Sequence, residues 1–290
     1  MDASTIQNLL TGVYNLSWQG LVMIAVGFLL IYLAIAKEYE PLLLLPIGAG
    51  CLLANMPIST MLGTAEEPGM LQFLYDIGVG NELFPLLIFI GIGAMTDFGP
   101  LLENPKMVLL GAAGQFGIFL TLILALLLGF TRPEAASIGI IGAIDGPTSI
   151  YVSAQLAPHL LGPITVAAYS YMSLVPIIMP PVMRLLTTQK ERSIRMPYSS
   201  REISQRTRIM FPIVVTIIVG ILVPFALPLI GTLMLGNLMR ESKVVERLSG
   251  AAQNELNNIV TLFLGLAIGS TMVGQNFIKP QTLFILVLDL

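Results

Sequence analysis

Residues 136–158 read ASIGIIGAIDGPTSIYVSAQLAP, and Asp145 is the one charge between positions 135 and 183. Pro147 has no N–H, and its ring collides with the carbonyl four residues back. The residue before it, Gly146, is pushed out of the α region. A continuous helix therefore fails at Asp145-Gly146-Pro147. About ten apolar residues flank the break on each side, roughly 15 Å of helix or half a bilayer. The stretch is expected to form a discontinuous helix or a re-entrant hairpin broken near mid-membrane. Irregular backbone survives at that depth only when it is buried in protein or lines a wet cavity.

The rest of the chain supports this setting. Of 290 residues, 55% are apolar and 11% charged, where a soluble domain carries about a quarter charged. The charges are clumped, leaving charge-free runs at 3–36, 41–65, 107–131, 146–183 and 209–239. Each is long enough for a span of about 20 residues. The composition excludes an ordinary cytosolic enzyme and predicts an all-α polytopic membrane protein. A single cysteine, Cys51, excludes disulfide frameworks and thiolate metal clusters, and one histidine, His159, excludes histidine metal sites and Ser-His-Asp triads. No Lys or Arg precedes position 37, so the basic region of a cleaved signal peptide is missing and Met1 is expected to begin the mature chain.

Apolar stretches are expected at 16–36, 41–56, 83–95, 107–130, in a double stretch at 135–183, and at 209–235 and 259–273, with another beginning at 283–288. Residues 57–83 form a connector that is acidic, with Glu66, Glu67, Asp76 and Glu82, and has no basic residue. Residues 184–208 instead hold seven of the fourteen basic residues, which places that loop in the cytoplasm and the acidic connector with the N-terminus on the far side. The loop reads as a topogenic segment, with a docking surface for an acidic partner as the alternative. The chain thus divides into a membrane region 1–183 holding the break, the basic loop 184–208, and the start of a second, incomplete membrane repeat at 209–290.

At the break, elementary electrostatics assembles a cation site. The first half-helix ends in unpaired carbonyls and a negative dipole end, Asp145 adds a carboxylate, and Thr148 and Ser149 add hydroxyl oxygens. Hard oxygens with one formal charge suit Na⁺ or a proton. The second half-helix begins with free N–H groups that favour an anion such as a carboxylate. The alternative is an aspartate that merely caps the second half-helix, and the cost of inserting an ionisable group into a membrane favours function.

Other candidates carry less. Tyr169 and Tyr171 lie in a charge-free span, where one phenol could donate a proton or serve as an interface aromatic. Asp97, before Gly99-Pro100, reads as an interfacial cap or loop residue. His159 reads as a partly wet, non-catalytic histidine, and Cys51 as packing. Gly91 and Gly93 read as sites of close helix approach. Phe89-Ile90-Gly91-Ile92-Gly93 recurs as Phe263-Leu264-Gly265-Leu266-Ala267, 174 positions on. Weakly similar halves whose broken helices meet at the substrate site are a usual transporter plan, so an inverted-repeat, transporter-like bundle is expected. The counterpart of Asp145 would fall near position 319, so the chain is expected to be truncated at its C-terminus.

With those residues in view, the chain resembles the β subunits of the bacterial sodium-pumping biotin-dependent decarboxylases, which act on oxaloacetate, methylmalonyl-CoA or glutaconyl-CoA. The resemblance runs from NELFPLLIFIGIGAMTDFGPLL through GAIDGPTSIYVS, AAYSYMSLVPIIMPPVMRLLTT and FLGLAIGSTM to NFIKPQTL. It implies a multi-pass subunit of the bacterial inner membrane that decarboxylates carboxybiotin, exports Na⁺ and consumes a proton. The implied partners are a carboxyltransferase α subunit, a biotin carrier domain and a small γ or δ membrane subunit, in an oligomeric complex without nucleic acid. Asp145 matches the family's intramembrane aspartate, a Na⁺ ligand, and Tyr171 its functional tyrosine, which exchanges a proton with Na⁺. The family's remaining site residues, an Asn, a Gly and a Ser, lie in a C-terminal NFLLMHAMG-like block that this sequence lacks. The competing functions are a Na⁺/H⁺ antiporter or Na⁺-solute symporter on the same plan, and a membrane anchor in which Asp145 is dispensable.

Overall fold

The structure is a computed structural model that describes residues 15–57, 61–63, 67–195 and 203–278. The stretch expected at 283–288 lies outside those residues. Among them there is no strand, only an isolated bridge between Gly63 and Pro68. The chain belongs to the all-α membrane class. Among the described residues, three helices are long and apolar enough to cross a bilayer, or four when the bent pair Met70–Gly80 and Leu83–Met95 counts as one span.

The principal helices are α1 (Trp18–Ala36), α2 (Pro41–Asn55), α3 (Met70–Leu74, prolonged by a π turn at Tyr75–Gly80) and α4 (Leu83–Met95). They continue with α5 (Val108–Leu127), α6 (Arg132–Gly139), α7 (Gly146–Leu156) and α8 (Leu161–Leu186). After the basic loop come α9 (Gln205–Leu222), α10 (Leu227–Ser242) and α11 (Asn257–Thr271). Local chemistry sets many of the boundaries. The Ser17 hydroxyl caps α1 through the Gly20 N–H at 3.0 Å, and Pro41 begins α2. The stretch expected as one span at 209–235 is two helices. Pro224 and Pro228 remove N–H donors, and Val223–Ala226 turns the chain instead.

Helices pair across the chain, through glycines. A Cβ on Gly269 would lie 2.2 Å from the Ile47 carbonyl oxygen, and one on Gly50 would lie 2.5 Å from that of Leu266, so α2 and α11 touch backbone to backbone. In the same way Gly93 of α4 faces the Leu233 carbonyl at 1.9 Å and Gly236 of α10 faces that of Ile90 at 2.0 Å. The expected close approach at Gly93 is therefore present, as is one at Gly91, which faces the Ala252 carbonyl. In membranes, where lipid is as apolar as leucine, such small-residue contacts are what holds helices together.

These pairs expose the internal repeat. Leu83 and Asn257, which open α4 and α11, are 174 positions apart, and each helix follows a π turn, at Tyr75–Gly80 and Ala252–Leu256. Each helix end is pinned by an asparagine at or near the end of the other unit's helix. Asn237 of α10 donates to the Thr96 carbonyl at 2.9 Å, and Asn55 of α2 donates to that of Met272 at 2.8 Å. Gly99 beyond α4 lies against Arg208 of α9, as Gly274 beyond α11 lies against Gln19 of α1. Each unit thus lends a helix pair to the other. The end of α4 shares a face with Arg208 and Arg240, while the end of α11 shares the opposite face with Leu62, Gly63 and Asp76 of the acidic connector. The two equivalent helices run in opposite directions, the arrangement expected of an inverted repeat.

The two asparagines are not equally employed. Asn55 also donates to the Cys51 carbonyl at 2.9 Å and accepts the Gly274 N–H at 2.9 Å, whereas Oδ1 of Asn237 is buried without a hydrogen-bond partner among the described residues. Asn55→Leu strands two buried backbone groups at roughly 1–3 kcal/mol each. It is expected to lower the thermal unfolding midpoint in detergent more than Asn237→Leu does.

Candidate ion site at the tip of a re-entrant hairpin

The broken segment is a hairpin. The arm formed by α6 and the 3₁₀ turn Ile140–Ala143 leads to the break, and α7 returns. Glu134 near the start of the first arm meets His159 just after the second at 2.9 Å, so both arms open on one face. At 11 residues, α7 is about 16 Å long, which sets Asp145 at the tip about that far from the mouth. Pro133 and a Thr131–Glu134 capping box begin the first arm. The Thr131 hydroxyl and N–H, and then His159, hold the Glu134 carboxyl below its ordinary range. Gly139 and Gly142 lay that arm against Ile118 and Gly117 of α5, and Ile138 and Ile141 share a buried cluster with Ala125 of α5 and with Leu160 and Ile164 beyond α7.

At the tip, Ile144 is left-handed (φ 57°) and Asp145 is extended (φ −133°). The non-helical backbone therefore sits one residue earlier than the expected Gly146, which instead begins α7. A glycine lacks the Cβ that makes other residues before proline avoid the helical region, so the bend shifts toward Ile144 and Asp145.

The structure brings together the three oxygen-bearing side chains expected at the break. Asp145 stands at the N-cap of α7, half-buried, and its Oδ2 accepts a hydrogen bond from the Thr148 hydroxyl. The fully buried Ser149 donates its hydroxyl to the Asp145 carbonyl at 2.9 Å and its N–H to the same oxygen at 3.0 Å. With that N–H spent and none on Pro147, the anion-binding capacity expected of this helix end is reduced. Among the described residues no group of three His, Cys, Asp or Glu side chains could hold a metal ion. One carboxylate with two hydroxyls supplies hard oxygen donors and a single formal charge, the kind of set expected to suit Na⁺ or a proton.

The two tyrosines part company. The ring of Tyr169 lies on Gly146, where a Cβ would come within 2.1 Å of its Cζ, and the side chain is buried. Tyr171 is half-buried and, two residues on, about 200° around α8 from Tyr169. The only sequence signal for Tyr169 at the break was the YSY pair, which does not say which phenol faces inward.

The remaining candidates find ordinary roles. Asp97 accepts the Gly99 N–H at 2.8 Å and pairs with Arg208 and Arg240, as an interfacial loop residue does. His159 is exposed and paired with Glu134, and Cys51 is buried, its thiol directed at the Met23 carbonyl at 3.3 Å. A cavity of about 810 Å³ lined by Gln72, Tyr75, Asp76, His159 and Thr271 opens at the mouth of the hairpin rather than at its tip.

Comparison with known proteins gives this site its context. Residues 19–290 match the family model of the Na⁺-transporting oxaloacetate decarboxylase beta subunit. The chain belongs to that family. It is 52% identical to the methylmalonyl-CoA decarboxylase subunit beta of Propionigenium modestum, over 97% of this chain and 76% of that one. Identity to the glutaconyl-CoA decarboxylase subunit beta of Acidaminococcus fermentans is 52%, over 97% and 73% of the two chains. With the oxaloacetate decarboxylase beta chain 2 of Salmonella typhi it is 48%, over 96% and 77%. A membrane subunit of a Na⁺-transporting decarboxylase is thus the class to which the hairpin and its aspartate belong.

Proposed function

We propose that this β subunit decarboxylates carboxybiotin delivered by a partner's biotin carrier domain and couples that step to Na⁺ export. The observation that carries the reading is Asp145 at the tip of a re-entrant hairpin, with the Thr148 and Ser149 hydroxyls beside it, in a chain of this family. Na⁺ bound by Asp145, Thr148 and Ser149 replaces a proton. Its arrival beside a phenol stabilises the phenolate by direct charge attraction, and the proton released is the one that decarboxylation needs. The N-carboxyl group leaves as CO₂, and the biotin nitrogen takes the proton. The partners are the carboxyltransferase α subunit, the carrier domain and a small γ or δ membrane subunit, in an oligomeric complex of the bacterial inner membrane. The loop at 184–208 faces the cytoplasm. The family match favours this reading over a Na⁺/H⁺ antiporter or Na⁺-solute symporter.

The proton-exchanging phenol is Tyr171 by resemblance to the family, while the geometry also offers Tyr169. Tyr171→Phe deletes one hydroxyl and little packing. In the assembled complex it is expected to raise the Na⁺ concentration for half-maximal decarboxylation or move the pH optimum, with assembly intact. A larger defect in Tyr169→Phe transfers the role to the phenol on Gly146. Co-purification with carboxyltransferase and biotin-carrier subunits tests the reading as a whole; a chain that purifies alone and exchanges Na⁺ for H⁺ overturns it.

A further inference from the structure

Where α9 begins and α10 ends, a pocket of about 390 Å³ is lined by Gln205, Arg208, Arg240, Glu241 and Lys243. Small-molecule sites occupy about 300–1,000 Å³. Arg208 is the last residue of the basic loop and lies in the first turn of α9, so the pocket belongs to that loop's face. Arg240 lies in the last turn of α10, and Lys243 follows that helix in a left-handed conformation (φ 59°). Two carboxylates approach the two arginines. Asp97, beyond α4, lies 3.4 Å from Arg208 and 3.9 Å from Arg240, and Glu241 lies 3.7 and 3.8 Å from the same pair. Only the first of these is within hydrogen-bond distance, whereas a carboxylate seated in a guanidinium fork makes two contacts of about 2.7–2.9 Å. Arg240 spends another N–H on the Met95 carbonyl at 2.6 Å. Each guanidinium carries about five N–H donors, so both keep unspent donors among the described residues. Lys243 is exposed and has no acidic partner among them.

A tie between helix ends needs no more than the two arginines and the two acids. The third cation leaves the pocket with a net positive charge, and the open forks leave it with donors that lack acceptors. That combination takes an oxyanion. Paired guanidinium groups match a planar carboxylate in particular, because their N–H groups meet both of its oxygens at once. The start of α7 at the hairpin tip has little left for such a group, since the Ser149 N–H is bonded and Pro147 has none. We propose that this pocket receives the carboxylate of carboxybiotin at the basic-loop face, Arg208 and Arg240 gripping its oxygens and Lys243 adding attraction from the rim. The proposal rests on the carboxybiotin reading above and names where that substrate is first held. The three side chains bind the group as an anion and move no proton. Loss of CO₂ waits for the proton released at the hairpin tip.

The test is decarboxylation by the assembled complex at saturating Na⁺, with carboxylated biotin carrier domain supplied in trans and no substrate for the α subunit. Arg240→Lys keeps the charge and loses the fork. It is expected to raise the half-saturating carrier concentration about tenfold, the worth of one charge-assisted hydrogen bond. Lys243→Asn removes an exposed charge and should raise it about threefold. Asparagine accepts the left-handed backbone at that position, so this variant carries the test alone if Arg240→Lys does not assemble. In both, the maximal rate should stay within about twofold of wild type, as loss of ground-state binding requires. Uncarboxylated carrier added as a competitor should inhibit wild type and variants equally, because the pocket reads the carboxylate. Unchanged half-saturation, or a fall in maximal rate alone, overturns the proposal. So does a competitor weakened as much as the substrate, which would assign these cations to the carrier's protein surface. If wild type leaves the carboxylated carrier intact, the carboxybiotin reading fails; if wild type decarboxylates it and both variants match wild type, the pocket alone fails.

Discussion

Asp145→Asn in the assembled decarboxylase complex is expected to abolish Na⁺-dependent decarboxylation while leaving the subunit inserted and assembled. The substitution removes one charge at equal volume, and the amide still accepts the Thr148 hydroxyl that Oδ2 accepts now. The helix break survives, because Pro147 and the left-handed Ile144 impose it without help from the carboxylate. What is lost is the one formal charge at the hairpin tip. Breaking a buried charge pair costs about 3–5 kcal/mol, on the order of 100- to several thousand-fold in ion affinity. The measurement is decarboxylation rate against Na⁺ concentration, alongside quantitation of assembled subunit. Retained Na⁺ stimulation in a fully assembled variant removes Asp145 from the ion site.

A comparable loss, of structure rather than of chemistry, is expected from Gly93→Val. The first added carbon would lie 1.9 Å from the Leu233 carbonyl oxygen, 2.8 Å from the Leu233 carbonyl carbon and 3.1 Å from the Asn237 nitrogen. All three atoms are backbone, so no rotamer change makes room and α4 and α10 must separate. Separation also pulls the Asn237 amide from the Thr96 carbonyl and Gly236 from Ile90, breaking one of the two exchanged contacts that join the halves. Overpacking costs about 1–3 kcal/mol in forgiving places, and this is not one. Gly93→Val should reduce recovery of monodisperse subunit in detergent severely. Gly111→Val on α5, where nothing lies within 4 Å, is the control and should purify normally. Equal recovery of the two variants would mean that the α4–α10 contact does not hold the halves together.

The helix break was more legible in the sequence than the frame around it. Asp145-Gly146-Pro147 dictates a break through proline's missing donor, a local effect that needs no knowledge of neighbours. Whether the break made a broken span or a hairpin depended on a contact 25 residues apart in sequence, between Glu134 and His159, which no periodicity encodes. The repeated FIGIG and FLGLA segments pointed to two related halves. Their exchange of partners, with Asn55 pinned to one half and Asn237 to the other, became visible only once helices of opposite direction lay side by side.

The hairpin also fixes an electrical distance. Its tip lies about 16 Å from the mouth, roughly half of a 30 Å hydrocarbon layer. An ion that reaches Asp145 from the basic-loop face has then crossed about half of the transmembrane field. With about 2.3 kcal/mol per elementary charge for each 100 mV, loading the site carries roughly half of the electrical work and unloading it the other half. Both ion binding and ion release should therefore respond to voltage with similar steepness, in place of a single voltage-dependent step at either face.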